Sequence, residues 1–432
     1  MKGWHSINVK DLCNIDNTFV QTGPFGSQLH ESDYSENGIP VIMPKNIVNG
    51  KISENNIARV SDNHANRLKR HKVIPGDIIY GRRGDIGRHA LIGHQEKGWL
   101  CGTGCLLLRL NQKKIFPPYS HYYLSQQSII DYVSNQAVGA TMPNLNTSIL
   151  KKLPVLLPPL PIQRKIAAIL SAYDDLIENN NRRISILEKM AEELYREWFV
   201  RLRFPGHENV KIVKGVPEGW AMKSVEDAFK YLGGGTPSTS VNSYWQDGHI
   251  NWYSPTDLTA SNSLFSFRSK QQITEQGLKE SSARLFPAYS IMMTSRATIG
   301  QISINTTPAC TNQGFITCIP NDEVPLHFLY YWLKLNKSYF IQISSGATFL
   351  ELTKGKFKNI SMLVPDPQIV GNYVKIQKTH FESIEVLLKQ NELLSVSRDR
   401  LLTRLMSGKI DVAELDIQFP PSMKDAEGVA DA

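Results

Sequence analysis

The chain has 432 residues, a hydrophobic fraction of 41%, a charged fraction of 20% and a formal net charge of +8. That length suggests two to four domains, and that composition permits large cores. No apolar run approaches the ~20 residues that span a bilayer, and the opening MKGWHSINVKDL has no apolar signal core, so the sequence reads as cytoplasmic with no membrane partner. Five cysteines (Cys13, Cys101, Cys105, Cys310, Cys318) make an odd count in a large chain, which argues against a disulfide framework. Cys101 and Cys105 invite zinc, but no further Cys or His pair stands at the spacing that would complete four ligands; they read as core thiols.

Taken in chain order, the elements repeat once. Gly3-Trp4 is matched by Gly219-Trp220, IPVIMP (39–44) by INWYSP (250–255), and IIYGRRGDIG (78–87) by IMMTSRATIG (291–300). CGTGCLLLRL (101–110) is matched by CTNQGFITCI (310–319), Gly139-Ala140-Thr141 by Gly346-Ala347-Thr348, and Pro158 by Pro365. The offset drifts between 216 and 207 residues and the order is kept, as a domain duplication with variable loops requires. Within each copy, short β-branched and aromatic runs are broken by Gly, Pro, Asn and Ser, and a short aromatic helix lies near the end, which predicts an α+β domain. The boundaries are a first domain at 1–160, a helix at 161–203, a second domain at 210–366, a helix at 367–408 and a tail at 409–432. Residues 1–160 carry +7 and residues 210–366 carry +3, whereas 161–209 is neutral and 367–432 carries −2. Positive blocks of this kind are an electrostatic footprint for phosphate.

Each helix follows a Pro-rich joint, LLPPLPIQ or LVPDPQI, and proline just outside a helix start is an entry signal. In the first helix Ile166, Ile169, Tyr173, Leu176, Asn180, Arg183, Leu187, Met190 and Leu194 recur at steps of three and four, a heptad seam. From Ile162 to Phe199 the helix would measure ~57 Å at 1.5 Å per residue. In the second, Phe381, Ile384, Leu388, Asn391, Ser395, Arg398, Leu402 and Leu405 form the seam, and Gly408 ends it. Both seams turn polar near the middle, so an antiparallel coil would bring Asn180 against Asn391 and fix the register. Ile177, Ile184, Ile186, Leu187, Trp198, Phe199, Leu387, Leu393 and Leu401 lie off the seam; they read as an outward partner surface or as packing under the chain's own domains.

Catalytic signals are missing. There is no phosphate-binding G-x-x-x-x-G-K-[ST] loop, and Gly233-Gly234-Gly235 leads into Thr236-Pro237 rather than a helix. No Asn-Pro-Pro-aromatic run for amino methyl transfer occurs, and the pairs Asp174-Asp175 and Glu192-Glu193 read as solvated helix face.

The arrangement resembles the specificity (S) subunit of type I restriction–modification enzymes. The resemblance is carried by LPPLPIQRKIAAILSAYDDLIE (157–178), the Gly-Trp opening each copy, TNQGF (311–315) and LLTRLMSGKIDV (401–412), within the order domain, helix, domain, helix. It implies two target-recognition domains, each reading one half of a split, asymmetric DNA site, with the helices setting the spacer and binding two methyltransferase (M) subunits. S-adenosylmethionine would sit on the M subunits, and ATP and Mg²⁺ on restriction (R) subunits; this chain would hold no cofactor and no metal and would not be an enzyme. Readers one helical turn apart, ~34–36 Å, address two major-groove windows. Phosphate and base contacts call for Lys, Arg, Asn and Gln in loops. The first domain offers Lys45, Asn46, Arg82, Arg83 and Arg88, with Arg67, Lys69, Arg70 and Lys72 as a phosphate cradle. The second offers Arg296, Thr256, Asp257, Arg268 and Lys270. Thr141, Asn144 and Thr348 read equally as turn residues. Two other readings remain open: a specificity chain of a restriction system with a fused nuclease–methyltransferase, and a coiled-coil adaptor for protein or RNA. The segment after Val412 reads as a flexible tail.

Overall fold

A computed structural model gives the fold of residues 3–13, 18–84, 86–137, 144–346 and 349–423. In the first copy we label nine strands: β1 (His5–Asn8), β2 (Phe19–Thr22), β3 (Ile39–Ile42), β4 (Ala58–Val60), β5 (Ile78–Gly81), β6 (His89–Leu91), β7 (Leu100–Cys101), β8 (Cys105–Arg109) and β9 (Pro154–Leu157). The second copy supplies β10 (Ala221–Ser224), β11 (Lys230–Gly233), β12 (Ile250–Tyr253), β13 (Gln271–Ile273), β14 (Ile291–Thr294), β15 (Ile302–Asn305), β16 (Ala309–Thr311), β17 (Phe315–Ile319) and β18 (Ser361–Val364).

Each strand of one copy has its counterpart nine labels later, with the same pairing. One sheet runs β2-β8-β5-β6 and its counterpart β11-β17-β14-β15, both antiparallel throughout these strands. A second sheet pairs β3 parallel with β7 and antiparallel with β4, as β12 pairs with β16 and β13. A two-stranded ribbon, β1 with β9 and β10 with β18, joins the start of each copy to its end. The central strands are near-continuous apolar runs (β5 IIYG, β14 IMMT) because both faces are covered, and every residue of each is buried. All four buried cysteines lie in or beside these strands, and burial raises the Cys105 and Cys310 thiols to about 12.

Two long helices complete the chain: α1 (Leu160–Tyr195), which widens to a π turn at Arg196–Val200, and α2 (Pro367–Met406). At the first joint Gln163 is buried; its Oε1 accepts from the Phe116 amide at 2.8 Å and its Nε2 donates to the Pro158 carbonyl at 2.8 Å. The chain divides into two compact units, residues 1–178 with 392–432 and residues 179–391. Each unit therefore holds one domain, part of α1 and part of α2.

Within the first unit the helix segments run antiparallel. Arg398 forms an ion pair with Asp174, whose other carboxylate oxygen accepts from the Tyr122 hydroxyl. Leu402, Leu405 and Met406 enter the same core as Ile166, Ala167 and Leu170. Residues 409–423 join them, contrary to the flexible tail expected after Val412: Val412 and Met423 are buried, and Lys165 Nζ donates to the carbonyls of Ala413 (2.6 Å) and Leu415 (2.8 Å).

Within the second unit the segments are again antiparallel. Asn180 Nδ2 donates to Asn391 Oδ1 at 3.0 Å, Asn391 Nδ2 donates to Asn181 Oδ1 at 2.8 Å, and buried Gln377 donates to the Ala191 carbonyl at 2.9 Å. Phe199 stacks edge-on against Phe328 and Tyr373, with centroids 4.9 and 4.8 Å apart, in an aromatic core that includes Tyr195, Trp198 and Tyr331.

The seam expected for α1 holds at Ile166 and Asn180, which are buried, and is displaced by about one residue elsewhere. Leu176 and Met190 are each 52% exposed and Arg183 faces solvent, whereas Ala167, Leu170, Ile184, Ala191, Tyr195 and Trp198 are buried. The expected seam undercounted alanine, and α1 is covered by its own domain as well as by α2, so its buried arc exceeds a narrow coiled-coil stripe. For the same reason Ile184, Trp198 and Leu387 point inward; of the residues assigned outward, Ile186 (52%) and Leu393 (69%) are exposed. No helix among the described residues is long and apolar enough to cross a membrane.

Candidate nucleic-acid interface

In each domain one edge gathers three segments: the turn after β3 or β12, the loop after β5 or β14, and the start of β8 or β17. In the first domain the Arg82 amide donates to the Gly104 carbonyl (2.8 Å), and the Leu145 amide donates to the Arg82 carbonyl (2.9 Å). In the second, Ser295 repeats both bonds with Gly314 (2.7 Å) and Leu352 (2.9 Å). Arg83 then bridges Asn144 as Arg296 bridges Glu351, so the two arginines hold equivalent backbone positions. Pro44 packs close to the position of Gly104, and Pro255 to that of Gly314; a Cβ at either glycine would stand 3.3 Å from the proline Cγ.

Several assigned residues are exposed. Lys45, Lys69, Arg83 and Arg88 are exposed in the first domain, and Thr256, Arg268, Lys270 and Arg296 in the second. Arg82 is half-buried and partly structural: its Nε donates to Asn144 Oδ1 (3.0 Å) and to the Leu145 carbonyl (3.2 Å). In the cradle, Arg67 reaches Asp33 at 3.5 Å and the Gln28 carbonyl at 3.0 Å, Lys72 donates to Asn66 at 2.9 Å, and Arg70 donates Nε to the His71 ring at 3.0 Å. Burial, aided by the Arg70 charge, lowers the His71 pKa, so the ring accepts that bond as the neutral imidazole.

Two assignments are corrected. Asn46 is 1% exposed, its Oδ1 accepts from the Met43 amide and its Nδ2 donates to the Ser53 carbonyl, so it holds the turn instead of reaching a base. Asp257 caps the helix at Pro255–Ser261 through the Ser254 amide and receives the Lys270 amide at 2.8 Å, so its carboxylate is spent on the backbone. Thr141 and Thr348 lie outside the described residues. Asn144 is the bridge partner of Arg83 as well as the acceptor for Arg82.

The structure adds cations that the sequence reading passed over. Lys337 packs where a Cβ on Gly300 would stand, 2.8 Å from its Cγ, and so borders the loop carrying Arg296. Lys354 and Lys356 open the short helix Lys354–Lys358, and Lys356 Nζ donates to the Ile343 carbonyl (2.7 Å) and Ser345 Oγ (3.1 Å). The signal was weak because these lysines lie outside the motifs shared by the two copies. Among the described residues no group of three or more His, Cys, Asp or Glu could hold a metal ion.

The family model described as the type I restriction modification DNA specificity domain matches residues 1–189 and 217–402. The MjaIX specificity subunit of Methanocaldococcus jannaschii is 38% identical over 181 residues, spanning 41% of this chain and 42% of that protein. The HindI specificity subunit of Haemophilus influenzae is 25% identical over 430 residues, spanning 84% of this chain and 92% of that one. In fold, the chain is like the type I restriction–modification S subunit from M. genitalium, with a TM-score of 0.55 at 18% identity over 93% of this chain and 96% of that one. The chain belongs to the family of type I restriction–modification DNA specificity subunits.

Proposed function

We propose that this chain is the DNA-reading subunit of a restriction–modification complex that methylates and cuts at a split, asymmetric site. The duplicated basic edge carries this reading: one set of backbone positions is built twice, with different side chains in each copy. Each domain reads one half of the site, Lys45, Lys69 and Lys270 contact phosphates, and the arginines after β5 and β14 reach base edges. The long helices set the spacer and bind two M subunits, to which exposed apolar residues are offered on each unit separately, Leu393 and Val396 on the first and Ile186 and Met190 on the second. S-adenosylmethionine on the M subunits and ATP with Mg²⁺ on R subunits supply the chemistry, and this chain is not itself an enzyme. The complex works in the cytoplasm, where its DNA is.

The test is co-expression with the adjacent methyltransferase subunit, followed by genome-wide mapping of methylated adenines. A two-part motif with a fixed gap, lost when this chain is omitted, is the expected result. A continuous motif, or methylation that persists without this chain, would overturn the reading.

A further inference from the structure

The second domain has a cleft beside the loop that carries Arg296. About 220 Å³ in volume, it is bordered by Gly233, Ser295, Arg296, Gln313, Glu351 and Lys354. Gly233 pairs with Ile316 as Thr22 pairs with Leu106, so the first domain carries a threonine where the cleft floor is bare. That bareness matters, because a Cβ on Gly233 would stand 2.0 Å from Lys354 Nζ. The neighbouring Gly234 is needed for a different reason: its Cβ would meet the Asn312 carbonyl oxygen at 2.0 Å, as that of Gly23 would meet the Gly102 carbonyl oxygen at 2.0 Å. The glycine run thus does two jobs, a close strand approach shared by both domains and a seat for Lys354 found only in the second.

The polar groups in the cleft have a definite hydrogen-bonding sense. Arg296 uses Nε on Glu351 Oε1 at 2.8 Å, which holds the guanidinium and leaves its terminal nitrogens without a partner among the described residues. Gln313 accepts at Oε1 from the Thr236 hydroxyl at 2.7 Å, which fixes the amide with its NH₂ available. Lys354 is exposed and has no carboxylate partner among the described residues. Three donors therefore meet beside one acceptor, the second carboxylate oxygen of Glu351. A phosphate would find that carboxylate repulsive. A G·C pair in the major groove fits the set: guanine offers O6 and N7 as acceptors, and cytosine offers its N4 amine as a donor to Glu.

We propose that this cleft reads a G·C base pair in the half-site of the second domain, with Arg296 and Lys354 on the guanine and Glu351 on the cytosine. The first domain reads a different pair at the equivalent place. There Asn144 replaces Glu351, and Thr147, first residue of the helix that Asn146 caps, replaces Lys354, first residue of the helix that Thr353 caps. The proposal rests on the split-site reading above.

The test uses the full chain in complex with its methyltransferase subunit, as wild type and as the surface variants Lys354→Thr and Arg296→Gln, each checked for an unchanged melting temperature. Methylation rates are measured on duplexes in which each position of the mapped motif is substituted in turn. The expected result is a G·C pair in one half of the motif, at which each variant lowers discrimination about tenfold while the other half keeps its preferences. Unchanged discrimination in both variants overturns the proposal and leaves split-site recognition standing. So does uniform weakening across all sequences with a shallower salt dependence, the signature of phosphate contacts. Absence of any split motif for the wild type overturns the reading on which the proposal rests.

Discussion

The two copies share a backbone and differ in how they hold their charge. In the first domain the cations sit on the loop after β5 itself, Arg82, Arg83 and Arg88, and Arg82 is tied to the neutral Asn144. In the second the loop keeps one arginine, paired with a carboxylate, and lysines from neighbouring elements, Lys337 and Lys354, close around it. The helix segments differ in the same way. An ion pair, Arg398 with Asp174, clasps the first unit, and an amide pair, Asn180 with Asn391, clasps the second. A duplicated scaffold thus keeps its ladder pairings, where a one-residue slip would turn every side chain over, and varies the side chains at its rims.

The sharpest break in this comparison removes residues 392–432. Leu402, Leu405, Met406 and Val412 would leave the first unit's core, and at ~2–5 kcal/mol for each large side chain the loss is as large as a typical domain stability of ~5–15 kcal/mol. Hydrogen exchange is expected to show β5 and β8 unprotected and β14 and β17 still protected. Equal loss in both would show that the units do not fold separately.

Acid should reach the two units through different histidines. Burial lowers His121 to about 3 and His327 to about 4, each also disfavoured by nearby cations. Unfolded histidine titrates near 6.5, so below that pH the unfolded chain takes up protons that the folded chain refuses. Stability is complete above pH 6.5 and falls as the pH drops towards the folded values, by about 2 kcal/mol per histidine at pH 5. His121→Phe is expected to weaken the pH dependence of the first unit between 6.5 and 5, to which buried His71 and His89 also contribute, and to leave the second unchanged, with urea midpoints as the readout. His327→Phe should weaken the pH dependence of the second unit, which His380 shares, and leave the first unchanged.

The helix clasps can be compared directly. Arg398 and Asp174 are partly exposed, so Arg398→Ala is expected to cost about 1–2 kcal/mol, less at high salt. Asn180→Ala leaves Asn391 half satisfied and should cost about 1 kcal/mol with no salt dependence. Urea unfolding at two ionic strengths separates them; equal salt responses would refute the contrast.

The smallest effect concerns the loops after β5 and β14. Arg82→Ala breaks two bonds within the fold and should destabilise the first unit by about 1 kcal/mol, whereas the exposed Arg296–Glu351 pair contributes at most about 0.5 kcal/mol. Thermal melts of the two variants are the check, and a larger shift for Arg296→Ala would reverse the assignment.

Much of the architecture was legible in the sequence. The repeat, the proline joints and the length of both helices are local patterns, and the structure keeps all three. The α1 face was misjudged because a three–four spacing identifies a stripe without saying how many neighbours cover it, and Ala167 and Ala191 are too small to register as seam residues. Asn46 and Asp257 were misread because a polar residue after proline serves a turn as readily as a ligand, and only the bonds to Met43 and Ser254 decide. Lys354 escaped because its role depends on Gly233, which lies 121 residues away in the chain and becomes its neighbour only in the fold.

The first unit is begun at one end of the chain and finished at the other. Residues 1–178 are synthesised early, yet the core around Ile166 and Leu170 awaits Leu402, Leu405 and Val412. At ~5–20 residues per second, a ribosome needs roughly 10–50 s to cover that distance. For that interval the earliest-made domain keeps an apolar helix face uncovered, and the later-made unit, ending at Asn391, is the first to have all its parts. The order of synthesis is thus the reverse of the order of completion. A late frameshift would cost the cell the half of the protein that it translated first.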